Sequence, residues 1–167
     1  EMAAQEPDTF ETIRGAFAGR PFVAVLLVAA GARVVATAAT GGFVVADEIF
    51  QYLEPAFRHV HGYGEVPWEY VLGARSWLLP GVYAILMRLL DLAGVTSPLA
   101  FAAVFHALNA AASVFLVAGV YRLAERLYGE RTAVYAGLLA ALSVPLLYYS
   151  TRTLSDNASA IFIPWAF

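Results

Sequence analysis

The residues of this sequence that could do chemistry are concentrated between Asp47 and Arg75. Five of the chain's 13 acidic residues lie in this stretch, which apolar segments flank on both sides. A carboxylate can accept the proton of an attacking hydroxyl group, and an arginine guanidinium matches the geometry of phosphate oxygens. The stretch is therefore the candidate site for the protein's chemistry.

The composition predicts a membrane protein. The chain is 60% hydrophobic and 14% charged, whereas soluble domains carry about 45–50% apolar and about 25% charged residues. A net charge of -3 gives no indication of nucleic-acid binding, so no nucleic-acid partner is expected. The absence of cysteine excludes disulfides and thiolate metal sites.

The apolar runs predict an all-α polytopic bundle of membrane helices, in contact with membrane lipids. The predicted segments are a cytoplasmic amphipathic segment (1–20), a first span (21–45), an outer loop with interfacial helices (46–97), a second span (98–120), a cytoplasmic loop (121–131), a third span kinked at its proline (132–149), an outer loop (150–157) and the truncated start of a fourth span (158–167).

The residues 76–92 are predicted not to span, although they are apolar. Their uncharged run ends at Met87, and at about 1.5 Å per residue it is too short for a hydrocarbon core of about 30 Å. If this segment does not span, the arginines at 14 and 20 share a side with those at 122, 126 and 131, as the cytoplasmic bias of arginine requires. The outer loops, 46–97 and 150–157, then face the other side.

Two polar features lie within the predicted spans. Arg33 is expected to pair inside the bundle or to snorkel, because an arginine facing lipid is costly. His106, Asn109 and Ser113 form one stripe on an apolar helix, and we expect this stripe to face other helices.

The outer loop also carries a specific series of motifs. They are Asp47-Glu48-x-Phe50-Gln51-x-x-Glu54-Pro55, then Gly62-x-Gly64, Trp68-Glu69-Tyr70, Arg75-Ser76 and Pro80, with Thr151-Arg152-Thr153-Leu154-Ser155 in the later loop. This series resembles the lipid-phosphate-mannose-dependent mannosyltransferases of glycosyltransferase family 22, which build GPI anchors and lipid-linked oligosaccharides.

The resemblance implies a GT-C fold and an enzyme that inverts the anomeric centre without a metal or another cofactor. The donor would be a polyprenyl-phosphate sugar, expected to be mannose, and the acceptor a glycan or glycolipid. Asp47 matches the family's catalytic base, and Glu48 matches its partner.

The remaining candidates would bind substrate. They are Gln51, Glu54, Trp68, Glu69, Arg75 and Arg152. The two arginines could hold the donor phosphate, because charge develops on the leaving group, or they could form salt bridges to Glu54 or Glu69. Trp68 could stack on a sugar or anchor the loop at the membrane interface.

Two alternatives stay open. One is a related GT-C enzyme with another sugar, or with a protein or lipid A as acceptor. The other is a transport or assembly protein, which the concentration of polar residues outside the spans disfavours.

The expected location is a bacterial inner membrane with a periplasmic site, or the endoplasmic reticulum with a lumenal site in a eukaryote. The chain alone is expected to be inactive.

The topology predicts that Glu65 and Glu125 lie on opposite sides of the membrane. Single cysteines introduced at these two positions of the cysteine-free chain should react with an impermeant thiol reagent from opposite sides of sealed cells or spheroplasts. Labelling of both cysteines from one side would contradict the predicted topology and the outer position of the site.

Overall fold

The computed structural model describes residues 11–12, 15, 20–39 and 45–167, and every regular element in this part of the chain is helical. The elements are α1 (Pro21–Ala39), a π-helical segment (Glu48–Leu53, the π segment), α2 (Glu54–His61), α3 (Trp68–Val71), α4 (Leu78–Leu92), α5 (Pro98–Tyr128), α6 (Glu130–Leu142), α7 (Val144–Ser150), α8 (Ser155–Ala160) and a 3-10 helix (Ile163–Trp165). The predicted all-α class is confirmed. Most of the predicted amphipathic segment 1–20 lies outside the described residues.

Two helices, α1 and α5, are long and apolar enough to cross a membrane. A third candidate is the pair α6 and α7, which is bent by 57° at the break between the two helices. The predicted kink is confirmed: Pro145 lies in the first turn of α7, where a proline is tolerated. Among the described helices, α4 has 15 residues and is shorter than either candidate span. That α4 does not cross the membrane stays a prediction.

Two hydrophobic cores lie along α5. The bundle core packs α1 and α6 against the second half of α5, and it consists of Val25, Ala29, Val117, Tyr121, Ala133, Val134, Ala140 and Ala141. The outer core packs the π segment, α2 and α4 against the first turns of α5, and it consists of Tyr52, Leu53, Ala56, Val60, Tyr83, Ala84, Met87, Phe101 and Phe105. The π segment, α2, α4 and the first turns of α5 therefore form one packed unit, which we call the outer unit, and it carries candidate residues of the outer loop.

The segment boundaries differ from the predicted ones at two places. Helix α5 runs through most of the predicted cytoplasmic loop and ends at Tyr128, before Gly129, whose φ of 85° is accessible to glycine. In the region of the predicted fourth span, α8 is followed by a turn and a 3-10 helix, and Trp165 stacks on Phe115 with ring centroids 4.4 Å apart. A span beginning at 158 stays a prediction.

Arg33 pairs inside the bundle, as expected. It is buried, and it donates to the Ser113 hydroxyl at 2.8 Å and to the Ala141 carbonyl at 2.9 Å. In an unbroken helix the Ala141 carbonyl would accept from the residue four positions later, but that residue is Pro145, which has no N–H. The guanidinium therefore satisfies a carbonyl that the kink leaves free.

The polar stripe of α5 faces other elements, as predicted, and each member meets a different one. Ser113 contacts Arg33 of α1. Asn109 donates to the Tyr83 hydroxyl of α4 at 3.1 Å. His106 lies 3.6 Å from a carboxylate oxygen of Glu48 in the π segment.

Candidate active site

The carboxylate of Glu48 joins three segments of the chain, which are the π segment, α5 and the loop between α7 and α8. Its side chain is fully buried, with 0% exposed. Arg152 Nη1 lies 3.4 Å from Oε1, and the backbone N–H and hydroxyl of Thr153 donate to Oε2 at 3.3 and 3.5 Å. His106 Nε2 faces the same Oε2 at 3.6 Å. A buried carboxylate needs such partners, since the cost of removing it from water is several kcal/mol.

Asp47 has the opposite environment, although it is the next residue along the chain. Its side chain is exposed, and it makes no capping hydrogen bond to the helix that it precedes. Adjacent helical residues point in directions about 100° apart, so burial of Glu48 turns Asp47 outward. In the described structure the Asp47 carboxylate is therefore accessible from outside, and that of Glu48 is not.

The π segment arises from Pro55. A proline ring clashes with the carbonyl four residues earlier and cannot donate to it, and a π-helical turn widens the helix at such a point. The carbonyl concerned belongs to Gln51, and it accepts a hydrogen bond from the Tyr70 hydroxyl. Burial raises the pKa of Tyr70, with Arg75 acting against this shift, so the phenol keeps the proton that it donates.

Glu54 holds the glycine-containing turn that follows α2. Its Oε1 accepts from the backbone N–H of Glu65 at 2.8 Å. A β-carbon on Gly64 would lie 2.5 Å from the same oxygen, and its φ of 128° also favours glycine. The motif residues Glu54 and Gly64 therefore form one structural contact, which commits the Glu54 carboxylate to the turn.

A groove with Arg75 and Tyr52 at one side lies beside the π segment. Arg75 Nη1 donates to the Tyr52 hydroxyl at 3.1 Å, and this hydroxyl donates to Ser155 Oγ at 2.8 Å. The groove has a volume of about 530 Å³. Its lining residues are Tyr52, Arg75, Ser76, Leu78, Leu79, Val82, Ser155, Ala158, Ser159 and Phe162. An arginine and hydroxyl groups beside an apolar wall suit an amphiphile with an anionic head.

The structure separates the remaining predicted site residues. Arg152 is 1% exposed and pairs with Glu48, so a donor phosphate cannot touch it in this conformation. Trp68 is 66% exposed at the start of α3, and Glu69 in the same short helix is half-buried. Gln51 enters the site through its backbone carbonyl. In the described part of the chain, no three His, Asp or Glu side chains lie close enough together to hold a metal.

Sequence reasoning missed two residues of this site. His106 was predicted only to contact other helices, and Tyr52 was not among the predicted site residues. The stripe on α5 showed that His106 needed a polar partner, but it did not show that the partner was Glu48.

The motif order agrees with comparisons with known proteins. Residues 22–167 match the model of the Alg9-like mannosyltransferase family. The chain belongs to this family. The predicted resemblance is thus confirmed over most of the chain, and with it a membrane-protein family of glycosyltransferases.

The similar curated proteins are named mannosyltransferases. GPI mannosyltransferase 3 of Yarrowia lipolytica is 36% identical over 140 residues, which cover 82% of this chain and 27% of that protein. Mannosyltransferase APTG1 of Arabidopsis thaliana is 30% identical over 154 residues, which cover 90% of this chain and 27% of that protein. GPI alpha-1,2-mannosyltransferase 3 of Bos taurus is 27% identical over 117 residues, or 70% of this chain and 22% of that protein.

This chain therefore matches about a quarter of the length of these relatives. No solved structure is similar to it. These three relatives come from a fungus, a plant and a mammal, so they give no support to the predicted bacterial location.

The hydrogen bond from Tyr70 to the Gln51 carbonyl allows a test of whether Pro55 causes the π segment. Tyr70→Phe removes the donor and should destabilise the folded protein by about 1 kcal/mol, a usual net value for one hydrogen bond. Pro55→Ala supplies a backbone N–H for the same carbonyl, so Tyr70→Phe should cost less in the Pro55→Ala background. Thermal unfolding midpoints in detergent measure both effects. Equal losses in the two backgrounds would contradict this account of the π segment.

Proposed function

We propose that this chain forms the acceptor-activating part of an inverting membrane mannosyltransferase. The enzyme transfers mannose from a polyprenyl-phosphate donor to a glycan or glycolipid acceptor on the outer or lumenal side of the membrane. Asp47 is its general base. The observation that supports this assignment most directly is the exposure of Asp47 beside the fully buried Glu48.

The three acidic residues of the motif have different environments, which separates their roles. Glu48 is buried among Arg152, Thr153 and His106. The Glu54 carboxylate accepts a hydrogen bond from the backbone of the Gly64 turn. Asp47 alone of these three is exposed to solvent. A general base must come within hydrogen-bond reach of the proton that it accepts, so Asp47 is the candidate and Glu48 orients it.

The proposed reaction is a single displacement. The acceptor hydroxyl oxygen attacks the anomeric carbon of the mannose from the side opposite the phosphate, and its proton passes to the Asp47 carboxylate. The bond between the anomeric carbon and the phosphate oxygen breaks, and the polyprenyl phosphate leaves with the electron pair. The configuration of the anomeric centre inverts.

The groove at Arg75 supports a position for the donor. Arg75 would neutralise the charge that develops on the leaving phosphate, and the Tyr52 hydroxyl lies beside it. The apolar side chains of Leu79, Val82 and Phe162 would contact the first units of the lipid chain. Asp47 precedes Tyr52 by five residues, so in this proposal the base lies within about two helical turns of the groove.

Arg152 takes a different role in this proposal from the one that its motif suggested. Because it is buried against Glu48, it acts as the counter-ion of Glu48 and does not bind the phosphate. Trp68 and Glu69 remain candidates for contact with the acceptor, since both lie in the short helix whose Tyr70 contacts the π segment.

The names of the relatives favour a GPI-type glycolipid as the acceptor. Their eukaryotic sources favour the expected endoplasmic reticulum membrane over a bacterial inner membrane as the location. The alternative, a GT-C enzyme with another sugar or acceptor, is tested by supplying membranes with polyprenyl-phosphate mannose and separately with the corresponding glucose donor. Incorporation of mannose into a GPI-type glycolipid supports the proposal, and incorporation of glucose alone would contradict it.

Asp47→Asn should lower the rate of mannose transfer by about 10²–10⁴-fold, the usual contribution of general-base catalysis. The amide keeps the shape of the side chain but accepts no proton at neutral pH. Donor affinity should change little, because Arg75 and the groove are unaltered. Membranes carrying the whole gene product and radiolabelled polyprenyl-phosphate mannose provide the assay.

Glu48→Gln is the matched comparison for this variant. It should reduce transfer less than Asp47→Asn, because Glu48 only orients its neighbour in this proposal. Near-normal transfer by Asp47→Asn, in protein that is folded and inserted, would contradict Asp47 as the base.

Arg75→Met should raise the KM for the donor by about 10–100-fold, since a hydrogen bond to a charged group contributes about 1.5–3 kcal/mol. Arg88→Met is the control, because Arg88 is an exposed arginine of the same outer unit that does not line the groove. Kinetics at varied donor concentration separate the two. The same KM in both variants would show that the donor phosphate binds elsewhere.

A further inference from the structure

His106 connects the site to the longest helix of the described structure. It lies near the outer end of α5, a helix of 31 residues that contributes to both hydrophobic cores. Its side chain is buried, and its Nε2 is 3.6 Å from Glu48 Oε2. This separation is within the range of an ion pair.

The other partners of Glu48 come from different parts of the chain. Arg152 and Thr153 belong to the loop between α7 and α8, and Val45 N–H, which donates to Oε1 at 3.4 Å, belongs to the residues just before the π segment. His106 is the contact from α5. It therefore adds a polar contact to the apolar packing that holds the π segment against this long helix.

The direction of the Asp47 side chain is tied to that of Glu48. Asp47 and Glu48 are consecutive, so a rotation of the π segment that moved Glu48 from its pocket would turn the Asp47 carboxylate by a similar angle. A displacement of a reacting group by about 1 Å can reduce an enzymatic rate by about 100-fold. A buried contact that prevents this rotation would affect the rate without touching the substrate.

We propose that His106 is a positioning residue for the transfer reaction: it holds Glu48 against α5 and thereby sets the direction of the Asp47 carboxylate. This inference rests on the proposed function of Asp47. It assigns a role in catalysis to a residue that lies within a predicted span and outside the motifs of the outer loop.

The competing role for His106 is packing alone, and two substitutions distinguish it from positioning. His106→Leu fills the apolar volume but has no donor for Glu48. His106→Gln carries an amide N–H at about the reach of Nε2. If positioning is correct, the glutamine variant keeps most of the activity and the leucine variant does not.

Asn109→Leu is the matched control. Asn109 lies one turn further along the same stripe, and its partner is Tyr83 instead of Glu48. The Asn109→Leu variant loses a polar contact between helices, as His106→Leu does. Its activity therefore measures the effect of a weakened helix interface alone.

The experiment measures kcat, donor KM and thermal stability for these variants in the whole gene product. We expect His106→Leu to lower kcat by about 10–100-fold with donor KM unchanged, His106→Gln to stay within about threefold of wild type, and Asn109→Leu to lower stability without this loss of kcat. In a double-mutant cycle, His106→Leu should cause no further loss in the Glu48→Gln background. If His106→Leu does not accumulate in membranes, His106→Asn takes its place, because its shorter amide withdraws the donor from Glu48.

Equal losses of kcat in His106→Leu and Asn109→Leu at equal stability would overturn the inference, and so would failure of His106→Gln to retain activity or additive losses in the cycle. Asp47→Asn is measured in parallel. If Asp47→Asn abolishes transfer while His106→Leu leaves kcat unchanged, the positioning role alone is wrong. If Asp47→Asn retains transfer, the proposed base is wrong, whatever the result at His106.

Discussion

Burial of the Glu48 carboxylate is the constraint on which the arrangement of the site depends. An ionised carboxylate removed from water must find cationic and hydrogen-bonding partners, or the folded state loses several kcal/mol. In this protein the partners come from the loop after α7 and from α5, so the π segment, that loop and the long helix must assemble together. The same burial turns the preceding residue, Asp47, towards solvent.

Two prolines create the irregular backbone that this assembly needs. Each removes a backbone donor, and the carbonyl four residues earlier accepts from a side chain of another segment. Pro55 leaves the Gln51 carbonyl to the Tyr70 hydroxyl in the outer unit, and Pro145 leaves the Ala141 carbonyl to Arg33 in the bundle. Helix interruptions within or beside a membrane are tolerated when the freed groups are satisfied in this way. The two side-chain donors, Tyr70 and Arg33, therefore link each helix interruption to an element elsewhere in the chain.

Helix α5 connects the bundle to the outer unit, because it packs in both hydrophobic cores. Its polar stripe contacts α1 through Ser113, α4 through Asn109 and the π segment through His106. Each polar side chain in an apolar environment is directed to one partner, because facing lipid or an apolar core would cost free energy. The stripe thus gives specificity to an interface whose other residues are mostly alanine, valine and phenylalanine.

The sequence by itself determined the helical class, the family, and the inward direction of Arg33 and of the α5 stripe. These follow from local composition and from the cost of placing polar groups in lipid, which act at each position separately. Only the tertiary structure decided which of two adjacent carboxylates is exposed, and which residues contact the Glu48 carboxylate. Its contact with Arg152 joins residues 104 positions apart, and periodicity carries no information about such pairings. The packing of the outer unit decides them, because a buried carboxylate must be satisfied by whatever groups the fold brings to it.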